Sequence, residues 1–318
     1  MSDREVSDFA KKHDDEIAFS ELFAVLWAGK TKIIAVVLIT AVVAVSYALY
    51  LPNEYTSEAI LAPKNNGGAG GVLGQLASQY SGLAGLAGVN VRGAGGQNQE
   101  VLAYQMLKTR DFYRDYLYKA TVADLMAATG WDHLNQQVIY DKKIYDPATA
   151  KWLRSPDSTR AAKPSVQEAH EKFINGALET IEDPVNGFVT VRVTHVSPVV
   201  AQRWVTLIIE GINDAIRTKD VVEAQRSIAF LNEQRLKTNL IALTEVFTGL
   251  IEEQTKTVML ANASEEYVFQ IIEHPVAPEL KSGPARGIIC VLSVFFAGLF
   301  IVLFILIRHF TSKPDIET

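Results

Sequence analysis

The chain has 318 residues, of which 48% are hydrophobic, and a formal net charge of −6, which argues against a nucleic-acid partner. Its single cysteine, Cys290, excludes an internal disulfide and a zinc site built from cysteine pairs. The six histidines show no metal-ligand spacing, and phosphate-loop and nucleophile-elbow motifs are missing as well. The composition therefore favours a protein that is not an enzyme and predicts no cofactor.

Two apolar runs dominate the hydropathy pattern. Residues 33–51 are 19 residues without a charge, and residues 287–307 are 21 residues without a charge. A helix needs about 20 apolar residues to cross the hydrocarbon core, so each run predicts a transmembrane helix. The alternative for the first run is a cleaved signal peptide, but a polar segment of 32 residues precedes it. We therefore expect an uncleaved span.

Charges flanking the first span predict the orientation. Lys30 and Lys32 precede it, whereas Glu54 and Glu58 follow it. Positive residues remain in the cytoplasm, so we expect a cytoplasmic N-terminal segment at 1–32 and a cytoplasmic tail at 308–318. Residues 52–286 then form one large domain on the opposite side of the membrane.

The first part of the chain contains two segments with alternative interpretations. Residues 16–29 predict a short helix on the inner membrane surface or an extension of the first span. Residues 55–62 alternate in polarity and predict a strand. Residues 65–96 hold 11 of the 20 glycines. This Gly-rich insert is either a flexible loop or a helix whose small-residue face packs tightly on a neighbour.

The middle of the domain has mixed helical and strand patterns. Residues 98–128 predict helix with a break near Thr109, and residues 135–153 predict a hairpin that turns around 146–148. Ser165 to Glu168 is a capping box at the start of a helix. The inner stripe expected for that helix consists of Ala169, Phe173, Ala177 and Leu178.

The clearest strand signal leads directly into the longest helical signal. Residues 188–196 alternate, with Val189, Val191 and Val193 on one face. Ser197 is then a good N-cap, and Pro198 suits the first helical position.

We expect a long helix at about 198–261, with a bend near 238–239 as an alternative to one unbroken helix. It carries two apolar stripes. The first stripe consists of Val200, Trp204, Ile208, Ile212 and Ala215. The second stripe consists of Leu236, Leu240, Leu243, Phe247 and Ile251. A strand at 265–274 and a proline-rich approach to the second span, Pro275, Pro278 and Pro284, follow.

Two clusters invite a chemical interpretation. Aromatic residues between Phe112 and Tyr118 lie among Arg110 and Arg114, as in some saccharide sites, but core packing of the rings is the favoured interpretation. Adjacent glutamates at 252–253 and 265–266 point apart on a helix, so a solvated face is favoured over an acid–base pair.

Several motifs together resemble the Wzz-type chain-length determinants, also called polysaccharide co-polymerases, of bacterial envelopes. The motifs, in chain order, are Asp15-Glu16-Ile17-Ala18-Phe19-Ser20-Glu21-Leu22-Phe23 with Leu26-Trp27, Tyr55-Thr56-Ser57-Glu58-Ala59, Ser197-Pro198, Arg226-Ser227-Ile228-Ala229-Phe230-Leu231, and the three prolines before the second span. The resemblance implies an α/β membrane protein in which two transmembrane helices flank a periplasmic base domain with a long extended helix. It also implies a ring-shaped homo-oligomer that sets the modal length of O-antigen or a related surface glycan beside the polymerase.

The resemblance directs attention to the long helix and to the spans. Residues expected to mediate oligomer contacts or set chain length are Arg226, Leu231, Arg235, Leu240, Leu243, Phe247 and Ile251. Gly287 and Gly298 are expected to pack the spans together. Expected partners are further copies of the chain, the inner-membrane polysaccharide polymerase and a lipid-linked glycan. The alternatives are a component of a capsule or exopolysaccharide export complex, and a periplasmic sensor or enzyme.

Overall fold

The computed structural model of the protein describes residues 25–64, 99–156 and 160–311, so the expectations for residues 16–24 and for the Gly-rich insert lie outside the described residues. The chain divides into two compact units. One unit contains the chain up to Pro52 together with the chain from Gly283 onward, and the other is Asn53–Ser282.

Besides the helical residues 25–28 that precede the first span, the described residues form eight helices and eight strands. The helices are α1 (Lys30–Tyr50), α2 (Gln99–Met106), α3 (Arg110–Phe112), α4 (Tyr118–Ala127), α5 (Val166–Lys172), α6 (Pro198–Lys237), α7 (Ile241–Ala263) and α8 (Arg286–Thr311). The strands are β1 (Tyr55–Pro63), β2 (Ala128–Asp132), β3 (Gln137–Tyr140), β4 (Tyr145–Asp146), β5 (Lys151–Trp152), β6 (Leu178–Glu182), β7 (Val189–His195) and β8 (Phe269–Glu273). A π-helical turn at Tyr113–Leu117 links α3 to α4. A second π-helical turn, Phe173–Ala177, follows α5.

Helices α1 and α8 form the first unit. Their apolar windows have mean hydropathies of 2.5 and 3.1, and both helices are long enough to cross a membrane. Two apolar helices near the chain ends therefore flank an α/β domain, which confirms the predicted fold class.

A four-stranded antiparallel sheet organises the α/β domain, with the strand order β6-β7-β1-β8. Val189, Val191 and Val193 of β7 are buried on one face, as their alternation predicts. On β1, Ala59 and Leu61 are buried on the same pattern, so the strand predicted at 55–62 is confirmed.

The N-terminal half of α6 packs across this sheet and fills the core. Its predicted stripe of Val200, Trp204, Ile208, Ile212 and Ala215 is buried. Ser197 caps the helix by accepting a hydrogen bond from the backbone N–H of Val200, and Pro198 occupies the first turn, as predicted. The base of the domain is therefore a helix-on-sheet core.

Helix α6 does not continue to residue 261. Residues 238–240 leave the helical conformation, and Thr238 and Leu240 have extended backbone angles. Instead of one helix of about 96 Å, the chain forms helices of about 60 Å and about 35 Å at ~1.5 Å per residue. The unbroken helix is corrected to two helices, and the break lies at the position of the alternative bend, near 238–239. Its physical reason is that a threonine and an asparagine favour helix ends over helix interiors.

The small strands also pair differently from the expectation. Residues 137–140 pair with the preceding strand β2, and β4 forms its own two-residue pairing with β5. The hairpin predicted over 135–153 is therefore two separate ribbons. The predicted break near Thr109 is confirmed, since the Thr109 side chain caps α3.

Candidate functional site

The most prominent surface feature of the α/β domain is a helical hairpin, residues 217–263, formed by the end of α6 and by α7. The helices run antiparallel: Arg217 near the base donates to the carbonyl oxygen of Ser264 at 3.4 Å, while the turn at 238–240 joins the other ends. Ala224 and Ala261 are buried where the helices meet, and such small side chains permit close approach.

Apolar side chains are exposed near the hairpin turn. Leu236 is 83% exposed and Ile241 is 87% exposed. The further large apolar residues exposed on the hairpin are Val222, Phe230, Leu240, Leu243, Val246, Met259 and Leu260. Many exposed apolar side chains on one element of a folded domain favour an interaction site there.

The structure brings the predicted length-setting residues together on this hairpin. Arg226 is exposed, as are Leu240 and Leu243, whereas Leu231, Arg235, Phe247 and Ile251 are half-buried. The second predicted stripe therefore lies partly in the contact between the two helices and partly on the surface. Leu236, a member of the predicted second stripe, and Ile241, which neither predicted stripe includes, are the most exposed large apolar residues of the hairpin because they flank the turn at 238–240.

The buried side-chain amide of Asn213 on α6 connects the base of the hairpin to the chain that enters the sheet. Its Oδ1 accepts backbone N–H groups from Tyr267, Val268 and Phe269 at 2.9, 2.8 and 3.1 Å. Its Nδ2 donates to the carbonyl oxygens of Ile209 and Phe269 at 3.1 and 3.3 Å. Asn213 thus fixes the position at which the chain leaves α7 and enters β8.

A second polar contact lies beside this one. Asp220 accepts hydrogen bonds from Gln99 Nε2 at 2.6 Å and from the hydroxyl of Tyr267 at 2.9 Å. Burial raises the pKa of the Asp220 carboxyl, and burial together with the Asp220 contact raises the pKa of Tyr267. These contacts link α2 and the residues just before β8 to α6.

The proline-rich stretch after β8 is fixed to the base over its first part. The Ser57 hydroxyl donates to the carbonyl oxygen of Val276 at 2.8 Å, and Gln202 Nε2 donates to that of Pro275 at 3.0 Å. Ser282 donates to the carbonyl oxygen of Glu54. Pro275 and Pro278 therefore belong to the α/β domain, whereas Pro284 belongs to the two-helix unit.

The base also contains a polar cluster around Asp124. This carboxylate accepts from Tyr140 and, at 2.5 Å, from Arg203. His195 donates from Nε2 to the Asp124 carbonyl oxygen at 3.2 Å and accepts the Ser197 N–H at Nδ1 at 3.0 Å. Burial lowers the pKa of His195, which is consistent with this neutral form. Both ring nitrogens are occupied by backbone groups, so the cluster joins α4, β3, β7 and α6 and leaves no free base.

The aromatic cluster that could have gripped a saccharide forms part of the core. Phe112 and Tyr113 are buried, and Tyr118 donates to the carbonyl oxygen of Pro164 at 2.6 Å. Burial raises the pKa of Tyr113 to about 12. Arg114 faces solvent and pairs with neighbouring aspartates. Core packing, the favoured interpretation, is confirmed for these rings.

No group of three or more His, Cys, Asp or Glu side chains in the described ranges is arranged to hold a metal ion.

Only one of the two hydrogen bonds of the predicted capping box at residues 165–168 forms. Ser165 Oγ accepts the Glu168 N–H, but the Glu168 carboxylate pairs with Arg154 at 2.6 Å.

The apolar helices α1 and α8 pack on each other through small residues of α1. Ala44 and Ala48 are buried, and a Cβ added at Gly29 would lie 3.0 Å from Ile305 Cδ1. A Cβ at Gly298 would meet Val37 at 3.9 Å, whereas nothing lies within 4 Å of one at Gly287. Of the glycines predicted to pack the spans, Gly298 is therefore at the contact and Gly287 is not, and Gly29 makes the closest approach.

Comparison with known proteins finds a family match for the first part of the chain. Residues 15–118 match the family described as "Wzz: Chain length determinant protein". The resemblance to Wzz proteins is confirmed. The matched part includes α1, β1 and the helices up to the π-helical turn, and none of the curated proteins matches the chain.

Solved structures with similarity to this chain include two polysaccharide co-polymerases. A full-length bacterial polysaccharide co-polymerase is 13% identical with a TM-score of 0.37, and the alignment covers 93% of this chain and 99% of that one. A fragment of WzzB, the polysaccharide co-polymerase from Salmonella Typhimurium, is 14% identical with a TM-score of 0.30, with 73% and 100% covered.

Proposed function

We propose that this Wzz-like protein is a non-enzymatic regulator of the modal chain length of O-antigen or a related surface polysaccharide. The observation that carries the proposal is the match of residues 15–118 to the chain length determinant family. The protein acts as a homo-oligomer beside the inner-membrane polysaccharide polymerase, where the lipid-linked glycan grows.

The proposed topology places residues 52–286 in the periplasm and both termini in the cytoplasm. It is supported by the two apolar helices and by the lysines that precede α1. Alkaline phosphatase fused after Pro147 should be active, and the same fusion after Lys313 should be inactive. The reverse pattern would contradict the orientation.

The proposed oligomer is supported by the exposed apolar side chains of the hairpin. Each Leu or Ile that becomes fully buried between subunits contributes roughly 1.5–3 kcal/mol, so several such residues favour association. Mass measurement in nanodiscs should give several copies per particle for the wild type. Leu236→Gln with Ile241→Gln should lower the copy number.

A matched control separates this effect from a general loss of apolar surface. Leu134 is 95% exposed but lies between β2 and β3, away from the hairpin. Leu134→Gln should leave the copy number unchanged. An unchanged copy number in the hairpin variant, or a wild-type monomer, would refute the hairpin as the oligomer contact.

The proposed length-setting role gives the hairpin variants a specific phenotype. Substitutions between Arg226 and Ile251 should shift the modal polysaccharide length without abolishing the polymer, because they alter subunit packing and no chemistry. The measurement is a lipopolysaccharide gel of cells that carry each variant. Complete loss of polymer would favour an essential export component instead.

A further inference from the structure

A cavity of about 340 Å³ lies between the beginning of α1 and the end of α8. Its wall is apolar and consists of Val25, Ala28, Ile301, Phe304 and Ile305. Lys32 and Arg308 line the same cavity. All of these residues belong to the two-helix unit, at the end of the span pair that the proposed topology places at the cytoplasmic surface.

The backbone around Gly29 shapes this cavity. Residues 25–28 are helical and turn at Gly29 into α1. A Cβ at Gly29 would lie 3.0 Å from the Cδ1 atom of Ile305, so a larger residue there would require the Ile305 side chain to shift. The turn thereby holds Val25 and Ala28 opposite the end of α8.

Lys30, which lies outside the cavity, makes a cation–π contact. The Lys30 ammonium lies over the Trp27 ring, 4.4 Å from its centroid. Within the described residues, neither Lys32 nor Arg308 makes an ion pair or a side-chain hydrogen bond. In the part of the chain that the structure describes, these two cations therefore border an apolar wall without a polar partner, at the end of the span pair that the proposed topology places at the cytoplasmic surface.

We propose that this cavity binds the phosphate of an anionic phospholipid. A guanidinium and an ammonium together match a phosphate, because arginine donates two parallel hydrogen bonds and lysine adds a compact charge. The apolar wall accommodates the first methylenes of the acyl chains. The inference rests on the proposed membrane topology and not on the chain-length role, so a failed polysaccharide assay leaves it intact.

The test uses full-length protein in nanodiscs of phosphatidylcholine that contain a minor fraction of phosphatidylglycerol. Lipids retained after release from the nanodisc are quantified by native mass spectrometry. A basic residue near a membrane surface contributes roughly fivefold in lipid affinity, so Lys32→Gln with Arg308→Gln should lower phosphatidylglycerol retention about 30-fold. Lys30→Gln removes a charge outside the cavity, so it should lower retention by no more than the roughly fivefold effect of one surface charge.

Two control experiments complete the test. The charge-conserving swap Lys32→Arg with Arg308→Lys should keep most of the retention, which guards against variants that fail to fold. Inorganic phosphate at millimolar concentration should not displace the lipid, whereas displacement would indicate a free-phosphate site. Equal retention of phosphatidylcholine, or equal loss in the Lys30 variant, would overturn the proposal.

Discussion

Asn213 provides the sharpest test of how the hairpin is held on the base. Its side-chain amide satisfies three backbone N–H groups at residues 267–269 and two carbonyl oxygens, all in a buried position. We predict that Asn213→Ala strands these backbone groups without partners and loosens the junction of α7 and β8. The rest of the sheet should remain folded, because β1, β6 and β7 pair independently of this side chain.

The magnitude follows from the number of groups left unsatisfied. A buried donor or acceptor without a partner costs about 1–3 kcal/mol, although water entering the new space satisfies some of the five groups. A net local cost of about 2–4 kcal/mol corresponds to about 30- to 700-fold faster opening, since 1.4 kcal/mol is tenfold.

Hydrogen exchange followed by mass spectrometry on the full-length protein in nanodiscs measures this opening directly. The peptide that covers residues 267–269 should exchange faster in Asn213→Ala by that factor. Asn262→Ala is the matched control, because Asn262 is exposed on α7 and its loss should change stability by at most about 0.5 kcal/mol. Exchange in the Asn213 variant that stays within a few-fold of the control would refute the reasoning.

Other predictions concern stability, measured by chemical unfolding of the full-length protein in detergent. Gly249→Ala should stabilise by about 0.5–1 kcal/mol, because nothing lies within 4 Å of the new Cβ and alanine favours helix. Gly211→Ala should destabilise by about 1–2 kcal/mol, because its Cβ would lie 3.1 Å from Tyr116 Cβ. Glu253, only 9% exposed, has a carboxyl oxygen without a hydrogen-bond partner among the described residues, and burial raises its pKa above the ordinary 4.5. Its folded form takes up a proton before the unfolded form does, so wild-type stability should rise as the pH falls through the raised pKa toward 4.5. Glu253→Gln should stabilise the protein at pH 7 and remove that rise, whereas Glu252→Gln on the exposed face should do neither.

Local signals in the sequence predicted much of the base domain. The strand at residues 189–195 and the cap at Ser197 depend on alternation and on one hydroxyl, which are visible in a short window. The apolar stripe of α6 was also readable, because a helix that crosses a sheet buries residues at a 3.6 period. These features determine where the hairpin starts.

Features that depend on contacts distant in sequence were not predicted. The pairing of β3 with β2 instead of residues 151–153 depends on tertiary packing against α4, and both candidate strands are short. The turn at 238–240 could be predicted only as an alternative, since a long helix with one threonine and one asparagine is also acceptable locally. No local sequence pattern indicates the structural role of Asn213, because this role depends on backbone groups more than 50 residues away.

Deletion of the gene tests the central claim most directly. The account predicts that surface polysaccharide is still made but that its lengths spread, so that the clustered modal band on a lipopolysaccharide gel becomes a graded ladder. Wild-type protein supplied from a plasmid should restore the band, and the Leu236→Gln, Ile241→Gln variant should restore a shifted one. A polymer profile unchanged by deletion, or a complete loss of polymer, would contradict the account.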